Sequence, residues 1–151
     1  MLHRLLLAVS LAFGLSMAAT APAQAGNPVV YAVHGAAIDG YDVVSYFQAG
    51  APVRGNAKYR VKWRGAVWYF SSAQNLEQFE SNPRAFAPSY GGYCAYAMAS
   101  GQISSVDPKT WRIVEGRLYL LHNPGAARLW QADVPTHVQR ASVHWSKALK
   151  R

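Results

Sequence analysis

The residues most able to do chemistry lie in the segment YGGYCAYAMASG, which contains the only cysteine of the chain, Cys94. The glycines that flank it favour a short helix, on which Cys94 and Met98 lie four residues apart and therefore on one face. A thiolate and a thioether are soft ligands that favour Cu(I), and His34 and His122 are further candidate ligands if the fold brings them near. Cysteine and methionine are also common core residues, so a buried structural thiol is the alternative.

Two other kinds of site compete with a metal site. A cysteine near a helix N-terminus could act as a nucleophile, but no histidine follows nearby in sequence to activate it. Aromatic side chains near glycines could instead line a cleft for a small molecule or a protein. These side chains are Tyr90, Tyr93, Tyr96, Trp63, Trp68 and Trp111. Because the chain has no catalytic triad signature, phosphate loop or zinc-protease motif, we expect a protein that is not an enzyme.

The N-terminus has the pattern of a secretory leader. Residues 1–25 contain His3 and Arg4, then an apolar run, then a small-x-small site that predicts cleavage before Gly26. The apolar run is too short for a stable membrane span, which needs about 20 residues. We therefore expect a periplasmic or secreted protein of one domain, residues 26–151, with no transmembrane span after cleavage. A single cysteine excludes an internal disulfide framework.

The chain is strongly basic, with 15 Lys and Arg against 7 Asp and Glu. Removing Arg4 with the leader leaves 14 against 7, a net charge of about +7. An exported protein with scattered basic residues is not expected to bind nucleic acid. The expected partners are a metal ion or a protein of the cell envelope, with a weak attraction to anionic envelope material.

Two hairpins are predicted from the alternation of residue types. In KYRVKW the residues Tyr59, Val61 and Trp63 share one face and the basic residues share the other, and Arg64-Gly65 forms the turn to AVWYFS. The returning strand is apolar on both sides, which predicts a central strand covered on both faces. WRIV and RLYLL form the second hairpin around Glu115-Gly116.

Helices are predicted between and after the hairpins. Asp42 can cap a short helix over residues 43–49, and Ser71 with Gln74 forms a capping-box pattern before a helix that ends near Asn82-Pro83. Two C-terminal helices follow, and their inward residues are predicted from helical spacing. These residues are Leu129, Trp130, Val138, Ala141, Trp145 and Leu149. The predicted fold is therefore α+β: a small antiparallel sheet from two hairpins, packed against short helices, with a C-terminal helical pair.

In their order and gaps, these segments resemble the YHS domain family, and in particular its exported bacterial YHS domain-containing proteins. The segments are DGYDVVSYF, YRVKWRGAVWYFSSAQNLEQF, YGGYCA and DPKTWRIVEGRLYLLHN, and the resemblance covers about residues 37–145. Members of the wider family carry cysteines that bind a soft or borderline metal. At the matching positions this chain has Ser45, Ser71 and the neighbourhood of Asn75, and serine hydroxyls do not replace thiolates. The resemblance thus implies that this family metal site is absent.

Overall fold

The computed structural model describes residues 28–150, and the predicted leader lies outside them. The strands are β1 (Ala32–Val33), β2 (Ala36–Ala37), β3 (Tyr41–Asp42), β4 (Val53–Arg54), β5 (Asn56–Trp63), β6 (Ala66–Phe70), β7 (Asp107–Val114) and β8 (Arg117–Leu121). The helices are α1 (Ser45–Gln48), α2 (Ala73–Ser81), α3 (Pro83–Phe86), α4 (Ala95–Met98), α5 (Pro124–Ala132) and α6 (Val134–Ala148). Two 3-10 segments, Ile38–Gly40 and Ser89–Gly92, connect these elements. No helix in the described range is long and apolar enough to span a bilayer.

The predicted α+β class with two hairpins and a C-terminal helical pair is confirmed, but the hairpins belong to different sheets. β5 and β6 join the N-terminal strands in the order β1-β2-β6-β5, where β2 pairs with β6 in parallel through Ala36 and Val67. β7 and β8 form a two-stranded sheet, and β3 with β4 forms another. Both hairpin turns follow the prediction, because Arg64, Gly65, Glu115 and Gly116 all have the positive φ of a tight two-residue turn.

The predicted burial of alternate residues is confirmed on β5, whereas the predicted burial of both faces is wrong for β6. The apolar residues of β5 pack against the core and the basic ones are exposed. On β6, Ala66, Trp68 and Phe70 are buried, whereas Val67 and Tyr69 are only half-buried. The strand is therefore central in its sheet, with one face buried and the other half-buried.

The core has two clusters of buried side chains. The first contains Trp68, Phe70 and Phe79 and joins the four-stranded sheet to α2. The second contains residues of β8, α5 and α6, with Trp130 and Ala141 fully buried. The C-terminal helical pair therefore packs against both α4 and the second hairpin.

Two predictions of inward-facing residues in the helical pair are wrong. Leu129 is 55% exposed and Leu149 is 50% exposed. Leu129 precedes Trp130, and neighbours on a helix point about 100° apart, so Trp130 takes the buried direction. Leu149 lies just after the last residue of α6, where the helical face ends.

A left-handed turn within Ser89–Gly92 holds the N-terminal segment against the rest of the domain. Tyr90, Gly91 and Gly92 have φ of 55°, 63° and 87°. The Tyr31 N–H donates to the Gly91 carbonyl at 2.9 Å. A Cβ on Gly91 would lie 2.1 Å from the Val29 carbonyl oxygen, and one on Gly92 would lie 2.3 Å from Cδ1 of Ile38. Both glycines therefore provide close packing as well as backbone freedom.

Gly91→Ala should destabilise the fold much more than Gly50→Ala. The two glycines have nearly equal φ, 63° and 62°, but nothing lies within 4 Å of a Cβ placed on Gly50. Gly50→Ala should lose about 1 kcal/mol of unfolding free energy for the left-handed backbone, and Gly91→Ala at least about 2 kcal/mol more. Urea denaturation followed by tryptophan fluorescence measures both. Equal losses would contradict the close approach of the N-terminal segment.

Candidate functional site: an arginine-rimmed aromatic groove

Cys94 is a core residue that precedes α4. It is 1% exposed and belongs to the first core cluster. Its N–H donates to the Ser104 carbonyl at 3.1 Å, and its carbonyl accepts from the Met98 N–H at 2.9 Å. These contacts fix the backbone on both sides of a thiol that is enclosed in apolar packing.

Of the other three predicted ligands, one is buried and two are exposed. Met98 is 1% exposed but belongs to the second core cluster. His34 is exposed in the turn between β1 and β2. His122 is exposed, with Nδ1 3.0 Å from the Ser105 carbonyl oxygen. Within residues 28–150 there is no group of three or more His, Cys, Asp and Glu that could hold a metal ion. A copper site at Cys94 stays a prediction.

Asp42 does more than the predicted helix cap. Its side chain is fully buried, and Oδ1 accepts from the N–H groups of Val44 at 2.9 Å and Ser45 at 3.3 Å. Oδ2 accepts from the Ser71 N–H at 2.8 Å, the Ser71 hydroxyl at 2.6 Å and Asn75 Nδ2 at 2.7 Å. Five donors therefore satisfy a buried carboxylate that joins the start of α1 to the start of α2.

Two sequence predictions about the helices beside Asp42 are wrong in detail. The cap of α2 is Ser72, whose hydroxyl accepts from the Asn75 N–H at 3.1 Å, because Ser71 is used by Asp42. Helix α1 begins at Ser45, later than predicted. Ser45, Ser71 and Asn75, the positions at which the resemblance led us to look for metal-binding cysteines, thus gather at one carboxylate.

The candidate site is a groove of about 410 Å³ beside the left-handed turn. Its aromatic lining consists of Trp63, Trp68, Tyr90, Tyr119 and Trp145. Its charged lining consists of three arginines from three separate elements, Arg64 in the first hairpin turn, Arg84 in α3 and Arg117 at the start of β8. Among residues 28–150, no acidic residue lines the groove.

The arginines of the groove are available to a ligand. The one ion pair among residues 28–150 joins Arg54 to Asp39, at 3.0 Å. The Arg64 guanidinium lies 4.8 Å from the centre of the Trp63 ring, a cation–π arrangement that holds the charge beside the aromatic lining. An arginine presents several N–H donors in a fixed plane, which suits carboxylate and phosphate oxygens.

Tyr90 connects the groove to α6. Its hydroxyl donates to the Val138 carbonyl at 3.1 Å and lies 3.3 Å from Ser142 Oγ. Burial raises the pKa of Tyr90, and this outweighs the hydrogen bond to Ser142 and the charge of Arg117, which lower it. The phenol therefore keeps its proton and fixes the groove wall.

The predicted aromatic cleft is only partly what the structure contains. Trp63, Trp68 and Tyr90 line the groove, as the cleft interpretation requires. Tyr93 instead donates from its hydroxyl to the Pro28 carbonyl at 3.0 Å. The remaining two rings pack elsewhere, Tyr96 against His137 and Trp111 against Tyr46. The three arginines, Tyr119 and Trp145 were missed as site residues, because no local motif links residues that meet only through the tertiary fold.

Comparisons of the chain with known proteins do not identify a relative. No family model matches it, and neither a curated protein nor a solved structure does. The resemblance to YHS domains therefore rests on the sequence segments alone.

Asp42→Ala should cost more stability than loss of an ordinary helix cap. The substitution leaves five donors without their acceptor. The N–H groups of Val44 and Ser45 are buried, and each buried donor without a partner costs about 1–3 kcal/mol. We expect a total loss of at least about 3 kcal/mol, against about 1 kcal/mol for Ser72→Ala, which removes the cap of α2 alone. Urea denaturation measures both, and equal effects would contradict the central role of Asp42.

Cys94→Ser tests the two interpretations of the thiol. If the thiol is structural, the buried serine hydroxyl should cost about 1–3 kcal/mol of unfolding free energy. Cys94→Ala removes the sulfur without burying a hydroxyl, so it should cost less unfolding free energy than Cys94→Ser. Anaerobic Cu(I) titration against a competing chelator should then give the same result for the native protein, Cys94→Ser and Met98→Leu. Tight one-to-one binding that Cys94→Ser abolishes would instead support the copper interpretation.

Proposed function

We propose that this chain is a non-enzymatic binding module that takes a small organic anion with a flat apolar body into the arginine-rimmed groove. The observation that carries the proposal is the combination of Arg64, Arg84 and Arg117 with an aromatic lining and, in the described part of the chain, no acidic residue at the groove. A pocket of this kind orients a ligand by a few polar contacts and gains affinity from apolar contact.

The groups in the groove suit binding better than proton transfer. Arginine does not lose its proton in proteins, so it acts as a fixed charge and donor. The Tyr90 hydroxyl is held by Val138 and its pKa is raised, so it also keeps its proton. A volume of about 410 Å³ accommodates a ligand of two or three fused rings with its charged group at the rim.

The proposal takes Cys94 as a structural thiol and the protein as a module of the cell envelope. Burial of Cys94 in the first core cluster supports the first part. The leader-like residues 1–25 support the second. Membership of the YHS family is a further part of the proposal, carried by the sequence segments. Copper at Cys94 is not included, because no second soft ligand shares its core cluster.

The groove should prefer a negative ligand over its neutral and positive analogues. We suggest 2-naphthoate as the probe, with 2-naphthamide and 2-naphthylmethylammonium as matched controls, in isothermal titration calorimetry. A charge-assisted hydrogen bond contributes about 1.5–3 kcal/mol, so the carboxylate should bind at least about tenfold tighter than the amide. Binding should weaken as salt is added. Equal affinity for the acid and the amide would contradict the proposal.

Arg117→Gln should weaken 2-naphthoate binding by about tenfold. The matched control is Arg128→Gln, which removes the same charge from an exposed position of α5 outside the groove and should leave the affinity unchanged. An equal loss in both variants would show that net charge, and not the groove, attracts the probe.

A further inference from the structure

The outer face of the four-stranded sheet carries a row of cations that the groove does not use. Lys58, Arg60 and Lys62 are exposed on β5, which is an edge strand of this sheet. Val61 and Trp63 pack inward, so Arg60 and Lys62 share the opposite face, and the exposed Lys58 precedes them in the irregular stretch of β5 between Asn56 and Arg60. Residues on one side of a regular strand repeat every two positions, which places Arg60 and Lys62 about 7 Å apart.

Two half-buried side chains complete this surface. Tyr69 lies directly opposite Arg60 in the β5–β6 register, and Val67 lies opposite Lys62. Cross-strand partners share a face, and neither residue packs into the two core clusters. We call Lys58, Arg60, Lys62, Val67 and Tyr69 the basic sheet face.

The charges on this face are not neutralised by neighbouring acidic groups. In the part of the chain that the structure describes, the single ion pair joins Arg54 to Asp39. Arg60 donates from its guanidinium to the Ala57 carbonyl, and Lys58 Nζ lies 5.4 Å from the Tyr59 ring. These contacts leave the positive charge unbalanced.

We propose that the basic sheet face docks the protein on an anionic lipid bilayer. Three neighbouring exposed cations can contact several headgroups at once, and cations near an anionic membrane contribute about 1 kcal/mol each, which is about fivefold in partition. Tyr69 has the amphipathic ring that favours the headgroup region, and Val67 supplies apolar contact beside it.

The same face is a poorer match for single-stranded nucleic acid. Proteins that bind single strands on a sheet stack successive bases on several aromatic rings. The basic sheet face offers one tyrosine, Tyr69, and it is half-buried. Charged residues on an edge strand also prevent pairing with other strands, but that role does not require lipid contact.

Vesicle co-sedimentation of the full chain tests the proposal. The vesicles are phosphatidylcholine alone, and phosphatidylcholine with one-third phosphatidylglycerol. Residues 1–25, which include Arg4, are the same in every variant, so the measured quantity is the ratio of the two partition coefficients, compared between variants. Three cations should give a ratio of about 100 at low salt, which decreases as salt is added.

The decisive variant changes Lys58, Arg60 and Lys62 to Gln together, and the ratio should decrease by at least about tenfold. The matched control changes Lys109, Arg128 and Arg140 to Gln, which removes the same charge from exposed positions elsewhere and should reduce the ratio less than about threefold. Arg60→Gln alone should reduce the ratio by about fivefold, and this variant serves if the triple one is unstable.

Three outcomes would overturn the proposal. The native ratio could be close to one. The two triple variants could lose partition equally, which would indicate an effect of net charge alone. Finally, a single-stranded oligonucleotide could bind through the same three residues while the vesicles do not, which would assign the face to nucleic acid. Binding of 2-naphthoate by the groove is unaffected in each case, so the two proposals fail separately.

Discussion

The left-handed turn at Tyr90–Gly92 is the backbone constraint on which the rest of the structure depends. A Cβ on Gly91 would lie 2.1 Å from the Val29 carbonyl oxygen, and one on Gly92 would lie 2.3 Å from Cδ1 of Ile38. Glycine at both positions therefore allows the N-terminal segment to pack closely. Tyr90 reaches α6 through its hydroxyl. One short turn therefore joins the N-terminal segment, the first core cluster and the C-terminal helices, and the groove lies beside that junction.

Charge is used in two different ways in this fold. The Asp42 carboxylate is removed from solvent and satisfied by donors from the starts of two helices, so its charge serves packing. The arginines of the groove are left without an acidic partner beside aromatic rings, so their charge is available to a ligand. The Asp42 network occupies the positions at which the resemblance would place metal-binding cysteines. The candidate binding site of this chain is therefore the groove.

The local elements could be predicted from the sequence, whereas the site could not. Tight turns depend on neighbouring residues, so Arg64-Gly65 identified its hairpin correctly. The cap of α2 was misplaced by one residue, because Ser71 and Ser72 are equivalent by pattern and only the distant Asp42 distinguishes them. Arg84 joins the other groove residues only through tertiary packing, and no spacing in the sequence records that contact. Residue type also pointed to Cys94 first, although burial supports a packing role.

The most direct test of the account is an NMR titration of the ¹⁵N-labelled protein with 2-naphthoate. The indole N–H signals of Trp63, Trp68 and Trp145 and the amide of Gly91 report on the groove, and the indole of Trp111 lies outside it as an internal control. The account predicts saturable shifts of the groove signals with little change at Trp111. Shifts that are absent, or that are spread equally over the groove signals and Trp111, would contradict the claim that this groove is the binding site.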